Sequence, residues 1–334
     1  MIKVAINGFG RIGRIAFRQM IVDADFDIVA INDLTGAEDL AYLLKYDTNH
    51  RSFHEDEITF EGDEIVICGK KRVKVYSEQD PTNLPWGELG VDLVLECTGL
   101  FTSEEKASAH LKAGAKKVLI SAPAKGDVKT VVYNVNHNII NSNDTIISGA
   151  SCTTNCLAPV LDLINKEFGI EKGFMTTVHA YTNDQATLDI AHKKGIKSRR
   201  GRACAANIVP ATTGAASAIG LVIPDLLNKL DGNAVRVPVS DGSLIDVTLE
   251  LKKNTSIEEI NKVFENNKSE TIDITMDPVV SSDILGKKLG ALVDGLSTNV
   301  IEVNGKQLVK ILAWYDNEYG YTAQMLRTAK VMFK

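Results

Sequence analysis

Ile2-Lys3-Val4-Ala5-Ile6-Asn7, followed at once by Gly8-Phe9-Gly10-Arg11-Ile12-Gly13, is the stretch that decides the fold. The first six residues read as a short apolar strand ending at Asn7. The next six place three glycines at the spacing G-x-G-x-x-G. Ile12, Ile15, Ala16 and Met20 then recur at helical steps, so the glycines stand between a strand and a helix. In that setting each has a task. Gly8 permits the tight turn, Gly10 lets the backbone approach a pyrophosphate, and Gly13 lets the helix pack close to the strand. The helix N-terminus faces the phosphates, whose charge it favours. A dinucleotide site at the head of an α/β domain is the expectation.

Working outward, the next strand, Ile28-Val29-Ala30-Ile31-Asn32, ends at Asp33, twenty residues beyond Gly13. A carboxylate here accepts hydrogen bonds from a ribose and repels a 2′-phosphate, which favours NAD over NADP. The competing role, capping a helix over Ala37 to Leu44, suits Thr35 or Gly36 better, since they lie nearer its start. Short apolar runs at 65–67, 73–75, 93–96, 118–120 and 131–133 alternate with helix or turn signals. That alternation predicts a doubly wound, mostly parallel sheet. Cys97-Thr98-Gly99 and Ser121-Ala122-Pro123 each close one of these strands. Ligands of such sheets gather at the carboxyl ends of the strands, so Thr98, Gly99 and Ser121 become candidate cofactor contacts.

The chain has 334 residues, enough for two domains, with 44% hydrophobic and 24% charged residues, ordinary for a globular enzyme. A net charge of −6 gives no overall reason to expect nucleic acid or an anionic membrane as primary partner. Five cysteines without framework spacing fit free thiols in a reducing compartment, and no metal is expected. No apolar run reaches membrane-spanning length and no leader pattern opens the chain, so a cytoplasmic protein is expected.

The centre of the chain is Ser151-Cys152-Thr153-Thr154-Asn155-Cys156. Leu157, Val160, Leu161, Ile164 and Phe168 follow at helical steps and Gly169 supplies the stop, with Pro159 expected to kink the helix. Ser151 is the natural N-cap and Cys152 the first helical residue, where the helix dipole favours an anion. A thiol so placed is expected to be partly thiolate near neutral pH. The competing reading, a small buried apolar residue, fits Cys156 well. His179, on the apolar and hydroxylated stretch 175–182, is the candidate acid/base. Lys193 to Arg202 is strongly basic, and paired arginines suit oxyanions. Residues 211–216, A-T-T-G-A-A, lead into a helix able to receive an anion. Arg236, a charge in an apolar strand, requires a partner. Long strands around 243–251 and 288–313 predict a mixed or antiparallel sheet. Last, 314–321 turns into a helix carrying Met325, Leu326, Ala329 and Met332 on one side, expected to return to the first domain.

Together INGFGRIGR at 6–14, SCTTNC at 151–156, HAYTNDQ at 179–185, TTGAA at 212–216, RVP at 236–238 and WYDNEYGY at 314–321 resemble one family. It is the phosphorylating, NAD-dependent glyceraldehyde-3-phosphate dehydrogenases of bacterial type, and the likeness runs over essentially the whole chain. The resemblance implies Cys152 as nucleophile and His179 as its base. It implies cofactor contacts at Asn7, Gly8, Gly10, Arg11, Ile12, Gly13, Asp33, Gln79, Thr98, Gly99, Ser121, Asn317 and Tyr321. It implies substrate and phosphate contacts at Ser151, Cys152, Thr153, Thr182, Arg200, Thr213, Gly214 and Arg236, with Arg199 the competitor of Arg200. Also implied are glyceraldehyde 3-phosphate and inorganic phosphate as substrates, a glycolytic role and a homotetramer. A sister dehydrogenase acting on erythrose 4-phosphate or another phosphorylated aldehyde is the alternative.

Two departures from the family pattern stand out. Gln79 precedes Asp80-Pro81 where the family commonly has Arg, and Ala191 stands where NAD-specific members often carry Pro. The expected organisation is a Rossmann-type NAD-binding domain over 1–150 and an α+β catalytic domain over 151–316. A helix over 317–334 is expected to dock back onto the first.

Overall fold

The computed structural model describes residues 1–193, 195 and 197–334; Lys194 and Ile196 of the basic run lie outside the described residues. The chain divides into two compact units. One comprises Met1–Tyr133, His137–Ser151 and Met325–Lys334; the other Asn134–Asn136 and Cys152–Gln324.

The first unit is built on a sheet of nine strands among the described residues. Its centre is parallel: Phe26–Asn32, Ile2–Asn7, Leu93–Glu96, Lys117–Ile120 and Ile146–Ser148 lie side by side in that order. Val4, Ala5, Ile6, Leu93, Val94 and Leu95 are fully buried. Strands covered on both faces need continuous apolar runs rather than alternation, which is why these segments stood out in the sequence. The helix Arg11–Met20 buries Ile15, Ala16, Phe17 and Met20. Its approach to the first strand requires glycine at 13, since a Cβ there would lie 2.2 Å from the carbonyl oxygen of Gly8. Gly8 itself has a φ of +91°, in the region that L side chains avoid.

On one side the sheet ends in an antiparallel edge, Ile58–Glu61, Glu64–Ile67 and Lys71–Tyr76, the last pairing parallel with Phe26–Asn32. The strand Ile58–Glu61 gave no apolar signal because only Ile58 of its four residues is buried. The strand expected at 131–133 is not formed. Pairing is confined to Lys129–Thr130, with one further bond from Val131 N–H to the Ser148 carbonyl at 2.8 Å. The chain then turns through Asn134, at φ +63°. Val131 and Val132 are fully buried, so their apolar character serves the core and not a ladder.

The second unit holds a mixed sheet of eight strands among the described residues. Ile170–Ala180 pairs parallel with Leu230–Val237 on one side and antiparallel with Ser243–Leu251 on the other. The long strand expected around 288–313 is three strands, Ala291–Asp294, Asn299–Val303 and Lys306–Tyr315. Asn304 and Gly305, at φ +53° and +74°, make the tight turn between the last two. The helix Cys152–Phe168 runs through Pro159 as one element of 17 residues. Gly169, at φ +71°, ends it and leads directly into Ile170–Ala180. That connection decides the chemistry. The helix carries the chain about 24 Å in one direction, and nine strand residues return it by about 30 Å. His179 therefore comes back to the end where Cys152 began.

The last helix, Tyr319–Val331, has Met325, Leu326 and Ala329 in the core of the first unit, joined there by Met332 just past its end. Lys330 pairs with Asp23 and Asp25, at 2.7 and 2.6 Å. The division falls at Gln324/Met325, later than the expected 317, and at Ser151/Cys152 in the middle of the chain. No helix among the described residues is long and apolar enough to cross a membrane.

Candidate active site

In the first unit a cleft of about 570 Å³ opens at the carboxyl ends of the parallel strands. Asn7, Gly8, Gly10, Asp33, Gln79 and Thr98 of the expected cofactor residues line it. Gly10 is the N-cap of the first helix and supplies no side-chain acceptor to its first turn, and a Cβ on it would meet nothing within 4 Å. The positive end of that helix is thus open to an anion. Asp33 accepts from the Phe9 and Thr35 N–H groups at 2.7 and 2.9 Å, which fixes its carboxylate at the cleft wall. Gly99, at φ +72°, follows Thr98 in the turn. Ser121 closes the strand Lys117–Ile120, its N–H bonded to the Glu96 carbonyl at 2.9 Å. Arg11, also expected among the cofactor contacts, has its guanidinium bound by Asp47. Burial works against that carboxylate, yet Arg11 and the His50 N–H hold Asp47 down to about 2. Ile12 packs its side chain against the core.

Beneath the cleft lies a network that the sequence did not announce. The Glu96 carboxylate, fully buried, accepts from Asn7 Nδ2 at 2.6 Å, from the Thr98 N–H at 2.8 Å, and from the Thr98 hydroxyl. Trp86 Nε1 donates to His110 Nδ1 at 3.2 Å. That places the imidazole hydrogen on Nε2, which donates to Glu96 at 3.1 Å. Asn7 Oδ1 in turn accepts from Asn32 Nδ2 at 2.7 Å, and Asn32 also binds the backbone of Glu78. Asn7, Asn32, Glu78 and Thr98 all line the cleft. One buried carboxylate therefore sets its floor.

The second unit brings Cys152 Sγ within 3.4 Å of His179 Nε2. Ala150, at φ +58°, precedes the start of the helix by two residues, a strained turn of the kind found at functional sites. His179 Nδ1 lies 2.7 Å from the Ala180 carbonyl, which can only accept. Arg236 Nη1, which can only donate, lies 2.8 Å from the same nitrogen, so the carbonyl calls for the hydrogen on Nδ1 and the guanidinium for it on Nε2; in the first tautomer Nε2 presents its lone pair to the thiol. Strand register places Arg236 beside His179. Its Nη1 donates to the Ala180 carbonyl at 2.8 Å and to the Thr182 hydroxyl at 3.2 Å, while Nε is a buried donor without a partner among the described residues. Burial, reinforced by Arg236, pushes His179 down to about 3, so the imidazole is neutral. Burial also raises the Cys152 thiol, opposed by Arg236 and by Thr153. Burial thus opposes the partial thiolate expected of a thiol at this helix position, while Arg236 and Thr153 favour it. The helix terminus and the guanidinium act only in part against a buried position.

Further groups join this centre. Thr182 donates to Asp184 at 2.6 Å, and Asp184 binds Arg200. Of the two arginines, Arg200 is thus the one tied to the cluster. Arg200 Nη2 also donates to the Thr212 carbonyl at 3.3 Å, next to Thr213 and Gly214 at the start of the helix Ala215–Val222. Thr177 Oγ1 donates to the Leu244 carbonyl and so accepts from Tyr315, whose oxygen then accepts from Thr153, with O···O distances of 2.8 and 2.9 Å. Ser243 Oγ accepts from Ala180 N–H and donates to Asn317 Oδ1 at 2.6 Å, leaving Nδ2 as the amide's donating face. Tyr321 is buried within the last helix. Ser151 immediately precedes the Cys152 helix. Tyr315, Asp184 and Ser243 were missed; the first two lie inside motifs already singled out, and Ser243 gave no signal.

A dinucleotide-type cleft on one sheet and a thiol–imidazole pair on another define the class, an NAD-dependent oxidoreductase. The family profile for the NAD binding domain of glyceraldehyde 3-phosphate dehydrogenase matches residues 2–104, and that for its C-terminal domain matches residues 151–317. The chain is 56% identical to the glyceraldehyde-3-phosphate dehydrogenase of Clostridium acetobutylicum, over 98% of this chain and 97% of that protein. It is 55% identical to that of Clostridium pasteurianum and 52% to that of Streptococcus pyogenes, in each case over 100% of this chain and 99% of the relative. The chain belongs to the glyceraldehyde-3-phosphate dehydrogenase family, and NAD is its cofactor.

Proposed function

We propose that the chain oxidises D-glyceraldehyde 3-phosphate with NAD+ and inorganic phosphate to 1,3-bisphosphoglycerate and NADH. The observation that carries this reading is Cys152 held 3.4 Å from His179 Nε2, with the half-buried Arg236 beside them. Cys152 Sγ attacks the aldehyde carbon as its proton passes to His179 Nε2, and that proton is returned to the new alkoxide. The product is a hemithioacetal. His179 then takes the hemithioacetal hydroxyl proton as the carbon gives up its hydride, leaving a thioester on Cys152. Residues lining the cleft of the first unit, Gly8, Gly10 and Asp33 among them, would hold NAD+, which when bound would supply the hydride acceptor. The Asn317 amide is fixed through Ser243 to the strand that carries His179, which suits it to orient the cofactor.

Phosphate attacks the thioester carbon, and the departing Cys152 sulfur recovers a proton from His179. Arg236, Thr182 and Arg200 form the cationic and hydroxyl surface for the two anions, the substrate's own phosphate and the attacking one. The unpartnered Nε of Arg236 supports that part, since a buried guanidinium donor requires an acceptor. Ser151, Thr153, Thr213 and Gly214 are assigned to the same anions, and Tyr315 fixes the rotamer of Thr153. The working form is assigned as a cytoplasmic homotetramer in glycolysis, following the family resemblance. NADH formation from glyceraldehyde 3-phosphate, followed with and without phosphate, tests the reading. Sustained turnover only with phosphate supports it; equal sustained turnover without phosphate, or preference for erythrose 4-phosphate, overturns it.

A further inference from the structure

His54, Glu57 and Cys68 form a cluster outside the cleft and outside the thiol–imidazole centre. His54 Nδ1 lies 2.5 Å from Glu57 Oε2, and the Cys68 thiol donates to the same oxygen at 3.3 Å. The three donor atoms all fall within 4.8 Å of one another, and all three residues are exposed. We infer that His54, Glu57 and Cys68 bind a divalent zinc-like transition metal, with water completing the coordination.

The backbone already holds the three residues in place. Glu57 and Ile58 N–H groups both bond to the His54 carbonyl, which makes 54–57 a closed turn. Cys68 N–H bonds to the Glu57 carbonyl at 2.7 Å, joining that turn to the hairpin between Glu64–Ile67 and Lys71–Tyr76. The His54 ring packs edge-on against Phe53, with centroids 4.5 Å apart. His54 and Cys68 both adopt left-handed backbone conformations, at φ +43° and +51°. Cys68 and Gly69 occupy the two turn positions where Asn-Gly is the usual pair, so the thiol stands where a non-ligating residue would fold more readily.

The donor set selects the ion. Thiolate sulfur, imidazole nitrogen and one carboxylate oxygen suit Zn2+ or Co2+, whereas magnesium and calcium take oxygen ligands. Tetrahedral zinc with bonds of about 2.0–2.3 Å needs its ligands about 3.3–3.6 Å apart. The two separations from Glu57 Oε2, 2.5 and 3.3 Å, lie below and at the short end of that range, and exposed side chains can make the adjustment. Binding replaces the thiol proton, so each metal bound at neutral pH releases one proton from Cys68 to solvent. The result is a clip between the 54–57 turn and the 67–71 hairpin. Spacing alone gave no sign of it, because Cys68 follows Glu57 by eleven residues across a strand.

The test uses the full chain carrying Cys152→Ser, so that the other thiol–imidazole pair offers no thiolate. Titration with Co2+ should produce a near-ultraviolet thiolate-to-metal charge-transfer band saturating at one metal per chain. Zn2+ should displace the Co2+, with one proton released per metal bound to the metal-free chain. Adding Cys68→Ser should abolish the band. His54→Ala and Glu57→Gln should each weaken binding at least about tenfold, because loss of a direct ligand exceeds loss of an outer-shell partner. All three positions are exposed, and unchanged circular dichroism checks the fold of each variant. Absence of the band, or a band that survives Cys68→Ser, overturns the assignment, as does affinity unchanged by His54→Ala.

Discussion

Replacing Glu96 by Gln should loosen the cofactor cleft from below. Each side-chain partner of Glu96 donates: Asn7 Nδ2, His110 Nε2, and the N–H and hydroxyl of Thr98. A glutamine puts an NH2 group where one oxygen accepted. If it faces Thr98, the hydroxyl can rotate to accept but the backbone N–H loses its acceptor. If it faces Asn7 and His110, the imidazole cannot switch tautomer without setting its Nδ1–H against Trp86 Nε1–H. Either way at least one buried donor is left unpaired, costing about 1–3 kcal/mol, and the loss of a charged acceptor brings the total to about 2–4 kcal/mol. Asn7 and Thr98 line the cleft, so part of the effect appears as NAD+ affinity lowered about tenfold, or about 1.4 kcal/mol. The assay is urea unfolding with and without NAD+, together with a cofactor titration. The alkylation rate of Cys152 without cofactor serves as the control and should not change. An unaltered unfolding midpoint together with unaltered NAD+ affinity would refute the reasoning.

Gly13→Ala puts a methyl 2.2 Å from the Gly8 carbonyl oxygen; equilibrium dialysis should show NAD+ binding weakened at least about a hundredfold, and wild-type affinity would contradict the turn's role. His179→Asn should lower kcat by about 10²–10⁴ and slow alkylation of Cys152 at neutral pH; alkylation at the wild-type rate argues against the pairing. Asp47→Asn should reduce stability at neutral pH by about 1–2 kcal/mol, after allowing for the partly exposed Arg11. Asp47 is lowered from 3.8 to about 2 on folding, so its contribution is present above about pH 4 and is lost as pH falls through about 2. Denaturation of wild type and variant across that range should therefore converge, and a gap undiminished at pH 2 would sink the assignment.

The glycine turn and the parallel strands were legible because strands buried on both faces must be apolar throughout, while the turn needs small residues at fixed places. The Cys152 helix was legible from its 3.6-residue period and the stop at Gly169. Val131–Tyr133 misled because burial alone makes a run apolar, whether or not its backbone joins a ladder. Ile58–Glu61 was invisible for the opposite reason: an edge strand can pair its backbone with hardly any buried side chains of its own. Glu96 shows the remaining limit. A carboxylate at the end of an apolar strand reads as an ordinary boundary residue until His110, Asn7 and Thr98 are brought around it by pairings 14 and 89 residues apart in sequence. Likewise the upward push on the Cys152 thiol comes from enclosure, which a helix position does not reveal.

The central claim is that the Cys152 sulfur carries the acyl group between oxidation and phosphate attack. Rapid mixing of the NAD+-loaded protein with glyceraldehyde 3-phosphate in phosphate-free buffer, followed by acid quench and mass analysis of the peptide containing Cys152, tests it directly. The account predicts one NADH per active chain in a burst and an acyl adduct on Cys152 that disappears when phosphate is added. NADH production at an undiminished rate with Cys152 unmodified would contradict it.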